Sequence, residues 1–366
     1  LYEFSFTMPT ALIVGRNCLV KNSKKLRTFG NRCLIVTGRR SSKLNGSLED
    51  SIIALENENI KYTIFDKVEE TPSLETVSKA YEEYKDKEID FILAVGCGSA
   101  IDAAKAISIL LKNRITTDAL LSLRNLQGLP LVAVPTTAGT GSEATPYSIL
   151  TLQDKGINKN IGQQVFPTLA FLDARYTLNT PLALTLCTAI DAFSHLAEGY
   201  LNTRANLLTD TLAEKGLRLF GQAFPSLLEG DLSIDVREKL LMASTLGGMV
   251  ISQTGTSLPH GMGYPLTYEK GVPHGVANGL LYPGYLKCFQ KKEKLHRLYH
   301  LIQVPSGDAL MDIFKKLLPK TDLTLSKEDI KRYVDGILSN EKKLKNHPEK
   351  ISRDELVAMY ETRLHL

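Results

Sequence analysis

Cysteine is scarce in this chain, and the few present form no pattern. Cys18, Cys33, Cys97, Cys187 and Cys288 are odd in number and show no C-x-x-C spacing. That argues against a disulfide framework and a thiolate zinc site, and it fits a reducing cytoplasm. Long apolar runs are missing too: no stretch approaches the ~18 residues of a membrane span, and no basic segment followed by a long apolar core opens the sequence. Charge of one sign never accumulates. Forty-four basic residues stand against forty acidic ones, for a net charge of +4, without a basic block or a basic amphipathic helix. Neither a nucleic acid nor a membrane is therefore expected as a partner, and Ser339–Lys350, which mixes both signs, reads as a solvated face. Internal repeats and low-complexity segments are absent as well. What remains is a chain of 366 residues, 43% hydrophobic and 23% charged, long enough for two domains that each bury an interior.

The first half alternates strand and helix patterns. Residues 1–20 suggest a strand pair. Cys33–Thr37 is a short buried-strand run ending at Gly38, and Ser47–Glu56 a helix with Ser47 as N-cap. Lys61–Phe65 forms a second strand. Thr71-Pro72 supplies an N-cap with proline at the first helical position of a helix reaching about Asp86. Asp90–Val95 is the third strand, Ile101–Lys112 the third helix and Leu131–Val134 the fourth strand, with a further strand at Leu169–Leu172. Such alternation implies a parallel sheet covered on both faces. The period changes from 2 to 3.6 after Asn179-Thr180-Pro181, which sets an α/β domain over 1–179 and an all-helical domain over 180–366. Helical patterns follow at Ala205–Phe220, at Ile234–Ile251 and from Lys294 onward. Gly247-Gly248 inside a helical run permits close packing or a kink.

Three loops after strands carry the chemistry of this half, where ligands bind in an open α/β sheet. In Gly96-Cys-Gly98-Ser99-Ala-Ile-Asp102-Ala-Ala-Lys105, glycines allow a pyrophosphate to approach the backbone and a helix start attracts its charge. The bland reading of the same residues is a capping box between Ser99 and Asp102. Pro135-Thr136-Thr137-Ala-Gly139-Thr140-Gly141-Ser142-Glu143 is rich in small hydroxyl and glycine residues, which suits a nucleotide. Gly38-Arg39-Arg40-Ser41-Ser42-Lys43 lacks an acidic residue for the ribose hydroxyls and offers two arginines, a lysine and two serines. A surface turn would look the same, but the composition favours the 2′-phosphate of NADP(H).

Histidine is also sparse, seven in all, and three lie in one window with an aligned carboxylate. Asp191-Ala-Phe-Ser-His195 puts an acid and an imidazole at i and i+4, on one helix face. His260 and His274 follow in glycine-rich surroundings. The Asp-His pair could be a local hydrogen bond, and a single histidine in an apolar helix is usually a satisfied core residue. Together the four residues read as a divalent-metal site for a borderline cation, Fe(II) or Zn(II) rather than Mg or Ca.

These loops and the four metal-ligand candidates resemble the iron-dependent (group III) alcohol dehydrogenase family, over about residues 5 to 290. The family's G-G-G-S-x-x-D-x-A-K appears as Gly96–Lys105 with Cys97 for the middle glycine, and its P-T-T-x-G-T-G-S-E appears intact as Pro135–Glu143. Its D-x-x-x-H is Asp191 and His195, its paired histidines His260 and His274. Within the family the chain is most similar to the 1,3-propanediol and butanol dehydrogenase type. The resemblance implies a nucleotide-binding α/β domain, an all-helical metal-binding domain of dehydroquinate synthase-like architecture, and a site in the cleft between them. It implies metal ligation by Asp191, His195, His260 and His274, cofactor contacts from Thr136, Thr137, Thr140, Ser142 and Lys159, and a homodimer. Tyr264 stands where many members carry a proton-relay histidine, so Tyr264 or a water chain would have to serve there.

The expected activity is reversible hydride transfer between NADP(H) and a small primary alcohol or aldehyde. Tyr147, Phe193, Ile251 and Tyr264 are candidates for the pocket wall. A lyase of the dehydroquinate synthase type, a glycerol-type polyol dehydrogenase and a non-catalytic nucleotide-binding protein are the competing readings. Asp191 and the apolar Ala192, Phe193 and Leu196 speak against the lyase, and four metal-ligand candidates against the non-catalytic protein.

Overall fold

The computed structural model of the chain describes residues 3–363, apart from the side chain of Lys155. Among the described residues there are eight strands: β1 Ala11–Val14, β2 Arg32–Gly38, β3 Lys61–Val68, β4 Phe91–Gly96, β5 Leu131–Pro135, β6 Ile149–Leu152, β7 Ile157–Asn160 and β8 Leu169–Leu172. Six form one sheet in the order β1-β8-β5-β4-β2-β3, every pairing parallel. The helices among them are α1 Cys18–Lys21, α2 Ser41–Leu44, α3 Ser47–Asn57, α4 Leu74–Tyr84, α5 Gly98–Asn113 and α6 Thr117–Ser122. Strands β2, β4, β5 and β8 are almost wholly buried. Continuous rather than alternating apolar strands are what a sheet covered on both faces requires.

Several local expectations are corrected. Residues 3–20 hold one strand instead of a pair: Asn17, in the left-handed region with φ 61°, opens α1, and β1 joins β8 in parallel. Helix α3 has Gly46 at its N-cap rather than Ser47. Helix α4 is capped by the Ser73 side chain, which accepts from Thr76 N, so Thr71-Pro72 lies before the cap. The antiparallel β6–β7 hairpin went unread, because each strand is only four residues long and Ile157–Asn160 is mostly polar.

The chain divides into two compact units. One comprises Met8–Thr137 and Gly141–Thr180; the other runs from Pro181 onward and includes Ala138–Thr140 and the residues up to Thr7. The second unit is helical: α7 Leu182–Tyr200, α8 Leu207–Glu229, α9 Ile234–Thr254, α10 Leu258–Lys270, α11 His274–Leu280, α12 Tyr282–Lys287, α13 Glu293–Leu301, α14 Gly307–Leu317, α15 Lys327–Leu338, α16 Glu341–Asn346 and α17 Arg353–Glu361. Its core contains Phe193 packed on Phe220, Tyr282 and Phe314 at centroid distances of 5.3–5.4 Å. Among the described residues no helix is long and apolar enough to cross a membrane.

Candidate functional site

Strand order fixes where the α/β unit can bind a ligand. Strand β2 is followed outward by β3, whereas β4 leads in the opposite direction to β5, so the order reverses between β2 and β4. A crevice opens outside the carboxyl ends of strands at such a switch point. The loops at Gly38, Gly96 and Thr136 leave the carboxyl ends of three adjacent strands, β2, β4 and β5. The Thr37 hydroxyl ties the first two together, bridging the Val95 carbonyl at 2.6 Å and the Ser42 hydroxyl at 2.7 Å.

The side chains of these loops divide into those engaged within the protein and those that are open. Gly96 has φ 154°, and a Cβ there would come within 2.8 Å of Ala100, so glycine lets β4 turn directly into α5. No side chain caps α5, and the Ser99 hydroxyl contacts the Glu70 carbonyl instead. The capping box is thus not formed. Asp102 accepts from Ser142 Oγ at 2.5 Å and from Ile149 N at 2.9 Å. Lys105, fully buried, donates to Ser142 O and Oγ, both at 2.8 Å, and to Tyr147 O at 2.7 Å. Burial pushes its ammonium down to about 8 against the pull of Asp102 and Glu143. Asp102, Lys105 and Ser142 therefore fix the loop and hairpin beside α5. Gly98 and Thr136 are buried, Thr137 is half-buried, and Lys159 lies exposed on β7. Thr140 belongs to the helical unit.

In the Gly38 loop, Arg39, Arg40 and Ser41 are exposed, while Ser42 is buried against Thr37. Lys43 pairs with Asp66 at 2.7 Å. That aspartate comes from the far part of β3, too distant in sequence to have been counted with the loop, and it neutralises one of the three cations credited to it.

The helical unit gathers the four metal-ligand candidates. From Asp191 Oδ1, the Nε2 atoms of His260, His274 and His195 stand at 3.5, 3.8 and 4.0 Å. The 4.0 Å separation removes the reading of Asp191 and His195 as a hydrogen-bonded pair. Ligand atoms around one tetrahedral ion at 2.0–2.2 Å would lie roughly 3.4 Å apart, and the observed spacing is close to that. Asp191, His195 and His260 are all buried and offer ligand atoms within 4.8 Å of one another. His195 Nδ1 and His260 Nε2 are buried without a hydrogen-bond partner. The donor set and its unpartnered imidazole nitrogen fit a divalent cation.

Neighbours orient these side chains. His260 Nδ1 lies 2.6 Å from Glu198 Oε1, and Glu198 Oε2 accepts from Ser257 N at 2.6 Å. With Nδ1–H facing the carboxylate, Nε2 is the His260 atom that faces Asp191 and can bind a cation once it gives up its own proton. Asn278 Nδ2 stands 3.2 Å from Asp191 Oδ1 and 3.3 Å from His274 Nε2. The Tyr264 ring stacks on His274 at 5.3 Å and 20°.

The charges follow from this arrangement. Burial would raise Asp191, but His195, His260 and His274 hold it well below the usual carboxylate range. Burial pushes His195 down to about 4. Burial would lower His260 too, yet Glu198 and Asp191 raise it to about 9.

Glu198 and Asn278 were missed in the sequence, although each shares a helix face with a ligand: Glu198 lies seven residues after Asp191, and Asn278 four after His274. Phe193 is corrected from pocket wall to core, being fully buried in the aromatic cluster, and Ile251 is buried as well. Tyr264 and Tyr147 remain half-buried.

Comparison with known proteins shows the family. The sequence profile described as Iron-containing alcohol dehydrogenase matches residues 9–174, and that described as Fe-containing alcohol dehydrogenase family, C-terminal, matches residues 185–364. The chain is 33% identical to the 1-propanol dehydrogenase PduQ of Citrobacter freundii, over 76% of this chain and 71% of that protein. It is 28% identical to the NADPH-dependent butanol dehydrogenase of Clostridium saccharobutylicum, over 97% of each. The crystal structure of an iron-containing alcohol dehydrogenase from Thermotoga maritima superposes with a TM-score of 0.90, at 39% identity and 98% coverage of both chains.

Proposed function

Because the chain belongs to the iron-containing alcohol dehydrogenase family, we propose that it interconverts a small primary alcohol and its aldehyde with NADP(H), using Fe(II) held by Asp191, His195, His260 and His274. Zn(II) is the alternative that the same donors accept. The observation that carries this reading is the convergence of three imidazole Nε2 atoms on Asp191 Oδ1. When bound, the metal supplies Lewis acidity to the substrate oxygen and the nicotinamide accepts or returns the hydride.

The residues then act as follows. Glu198 keeps the His260 proton on Nδ1. Asn278 holds Asp191 and His274 in register, and Tyr264 holds the His274 ring by stacking and offers a phenol for proton transfer. In oxidation the carbinol carbon gives up a hydride and the hydroxyl gives up a proton to solvent, so the electron pair leaves with the hydride. The glycine loop with Gly96 and Gly98 and the hydroxyl loop with Thr136 and Thr137 receive the pyrophosphate. Arg39, Arg40 and Ser41 receive the 2′-phosphate, which favours NADP over NAD. Free, scattered cysteines support a cytoplasmic location, and the family resemblance supports a homodimer.

The test is anaerobic oxidation of NADPH or NADH by metal-stripped protein with Fe(II) or Zn(II) restored, using butanal and 3-hydroxypropanal. Activity that returns with Fe(II) and prefers NADPH is expected. Folded protein that binds metal and nucleotide but reduces neither aldehyde would overturn the reading in favour of the lyase.

A further inference from the structure

Lys343 differs from the other cations of the helical unit in its place beside the metal-ligand cluster. It lies on α16, and its stem crosses Gly261, the residue after His260. A Cβ at Gly261 would come within 3.3 and 3.5 Å of Lys343 Cγ and Cδ. The ammonium donates to the Thr256 hydroxyl. No ion pair joins it to a carboxylate among the described residues. Glu198, the acid whose field reaches it, already accepts from His260 and Ser257 on its two oxygens.

Its field also reaches into the cluster, because Lys343 is among the charges that lower His274 and Glu198. Lys342, its neighbour on α16, adds further positive charge. Lys343, Thr256 and His274 all keep part of their surface accessible. Burial pushes the Lys343 ammonium down to about 8, as happens to a cation drawn out of water without a full counter-ion.

We infer that Lys343 and the Thr256 hydroxyl form an anion subsite beside the metal-ligand cluster, and that the preferred substrate is a short alcohol or aldehyde bearing a carboxylate at its far end. Lys343 donates to the carboxylate while the reacting oxygen lies at the four ligands. This rests on the proposed dehydrogenase reading, whose neutral substrates it narrows to an anionic class.

The experiment uses the Fe(II)-loaded full chain as wild type, Lys343→Met and Lys343→Arg. Calorimetry without nucleotide compares 4-hydroxybutyrate with 1,4-butanediol, and kinetics compares 4-oxobutanoate with butanal. Wild type should bind the hydroxy acid about tenfold more tightly than the diol, the scale of one charge-assisted hydrogen bond. Lys343→Met should lose most of that ratio and lower the kcat/KM ratio of 4-oxobutanoate to butanal about tenfold, chiefly through KM, while Lys343→Arg keeps most of both. Equal binding of acid and diol by wild type, or ratios unmoved in Lys343→Met, overturns the subsite and leaves the dehydrogenase reading intact if butanal is reduced. Lys343-dependent binding of the acid with no turnover of either aldehyde upholds the subsite and overturns the dehydrogenase reading.

Discussion

Replacing Glu198 by glutamine changes one atom and should cost the metal site much of its affinity. Both carboxylate oxygens are engaged, Oε1 with His260 Nδ1 and Oε2 with Ser257 N, each at 2.6 Å, and the side chain has no accessible surface. An amide has only one acceptor to meet these two donors. If its oxygen keeps the Ser257 N–H, its NH2 faces His260 Nδ1; the imidazole proton must then move to Nε2, and the lone pair aimed at Asp191 is lost. If the amide turns over, it satisfies His260 but sets two buried donors against each other at Ser257, at about 1–3 kcal/mol for the group left unpaired. Either outcome weakens ligation, and loss of such an outer partner typically lowers metal affinity 10- to 100-fold. Competition of Glu198→Gln against a chromophoric chelator for Fe(II) or Zn(II) reads the loss directly. A second signature lies in pH. In the metal-free wild type His260 is held at about 9, so an incoming ion must displace its proton and binding should tighten as pH rises toward 9. The variant should show a flatter profile between 6.5 and 9. A folded Glu198→Gln protein with affinity within twofold of wild type and an unchanged pH profile would refute the role given to Glu198.

The metal-free protein should be most stable near pH 6.5 as far as these histidines decide it. The stability contributed by His260 is complete below 6.5 and lost as pH rises through about 9, while that of His195 is present above 6.5 and lost as pH falls through about 4. Thermal denaturation in chelator across this range checks the peak, and a monotonic profile contradicts it. Lys105→Met should destabilise the α/β unit by roughly 3 kcal/mol, because it leaves the Ser142 and Tyr147 carbonyls without their donor and the half-buried Asp102 without its cation; denaturant unfolding measures this, and a loss under 1 kcal/mol refutes it. Asp66→Asn releases Lys43 from an exposed ion pair and should raise the preference for NADPH over NADH roughly two- to fivefold, from a pair worth up to about 1 kcal/mol. That gain should shrink at high salt, and an unchanged cofactor ratio removes Lys43 from the loop's phosphate contacts.

The strands of the parallel sheet were readable because each is a continuous apolar run bounded by turn residues, as at Cys33–Thr37 and Leu131–Val134. Helix starts were less readable. Capping depends on which of several neighbouring polar residues turns toward the backbone, and Ser73 does so where Thr71-Pro72 looked equally suitable. The metal-ligand candidates were legible for a related reason: imidazole is rare here, and a carboxylate four residues from a histidine must share its face. The neighbours were not. Glu198 and Asn278 resemble ordinary helix residues until tertiary contact reveals what they hold, and Lys343 is brought to Gly261 by a chain separation of 82 residues. Phe193 failed in the opposite sense. Adjacency along a helix is not adjacency in space: two residues after Asp191 the side chain points to the opposite flank and enters the core.

Charge balance in the helical unit ties these observations together. Without a metal, two buried carboxylates, Asp191 and Glu198, face two cations, protonated His260 and Lys343. Buried charge is tolerated when it is matched, so the cluster can exist empty. Exchange of the His260 proton for a divalent ion leaves one positive charge in excess. That excess cannot be relieved by Asp191 or Glu198, which are already ionised, nor by His195, which burial keeps neutral. It is matched when a negative group enters from outside: an alkoxide during the reaction, or a substrate carboxylate at Lys343. The same imbalance that makes the loaded cluster receptive to a deprotonated alcohol therefore also favours an anionic substrate over a neutral one, provided that Lys343 stays charged. Burial holds the Lys343 ammonium below the usual lysine range, so discrimination between 4-oxobutanoate and butanal should fade as pH rises and Lys343 loses its proton, while butanal reduction continues; discrimination that persists undiminished to pH 9.5 would place the source of the anion preference elsewhere.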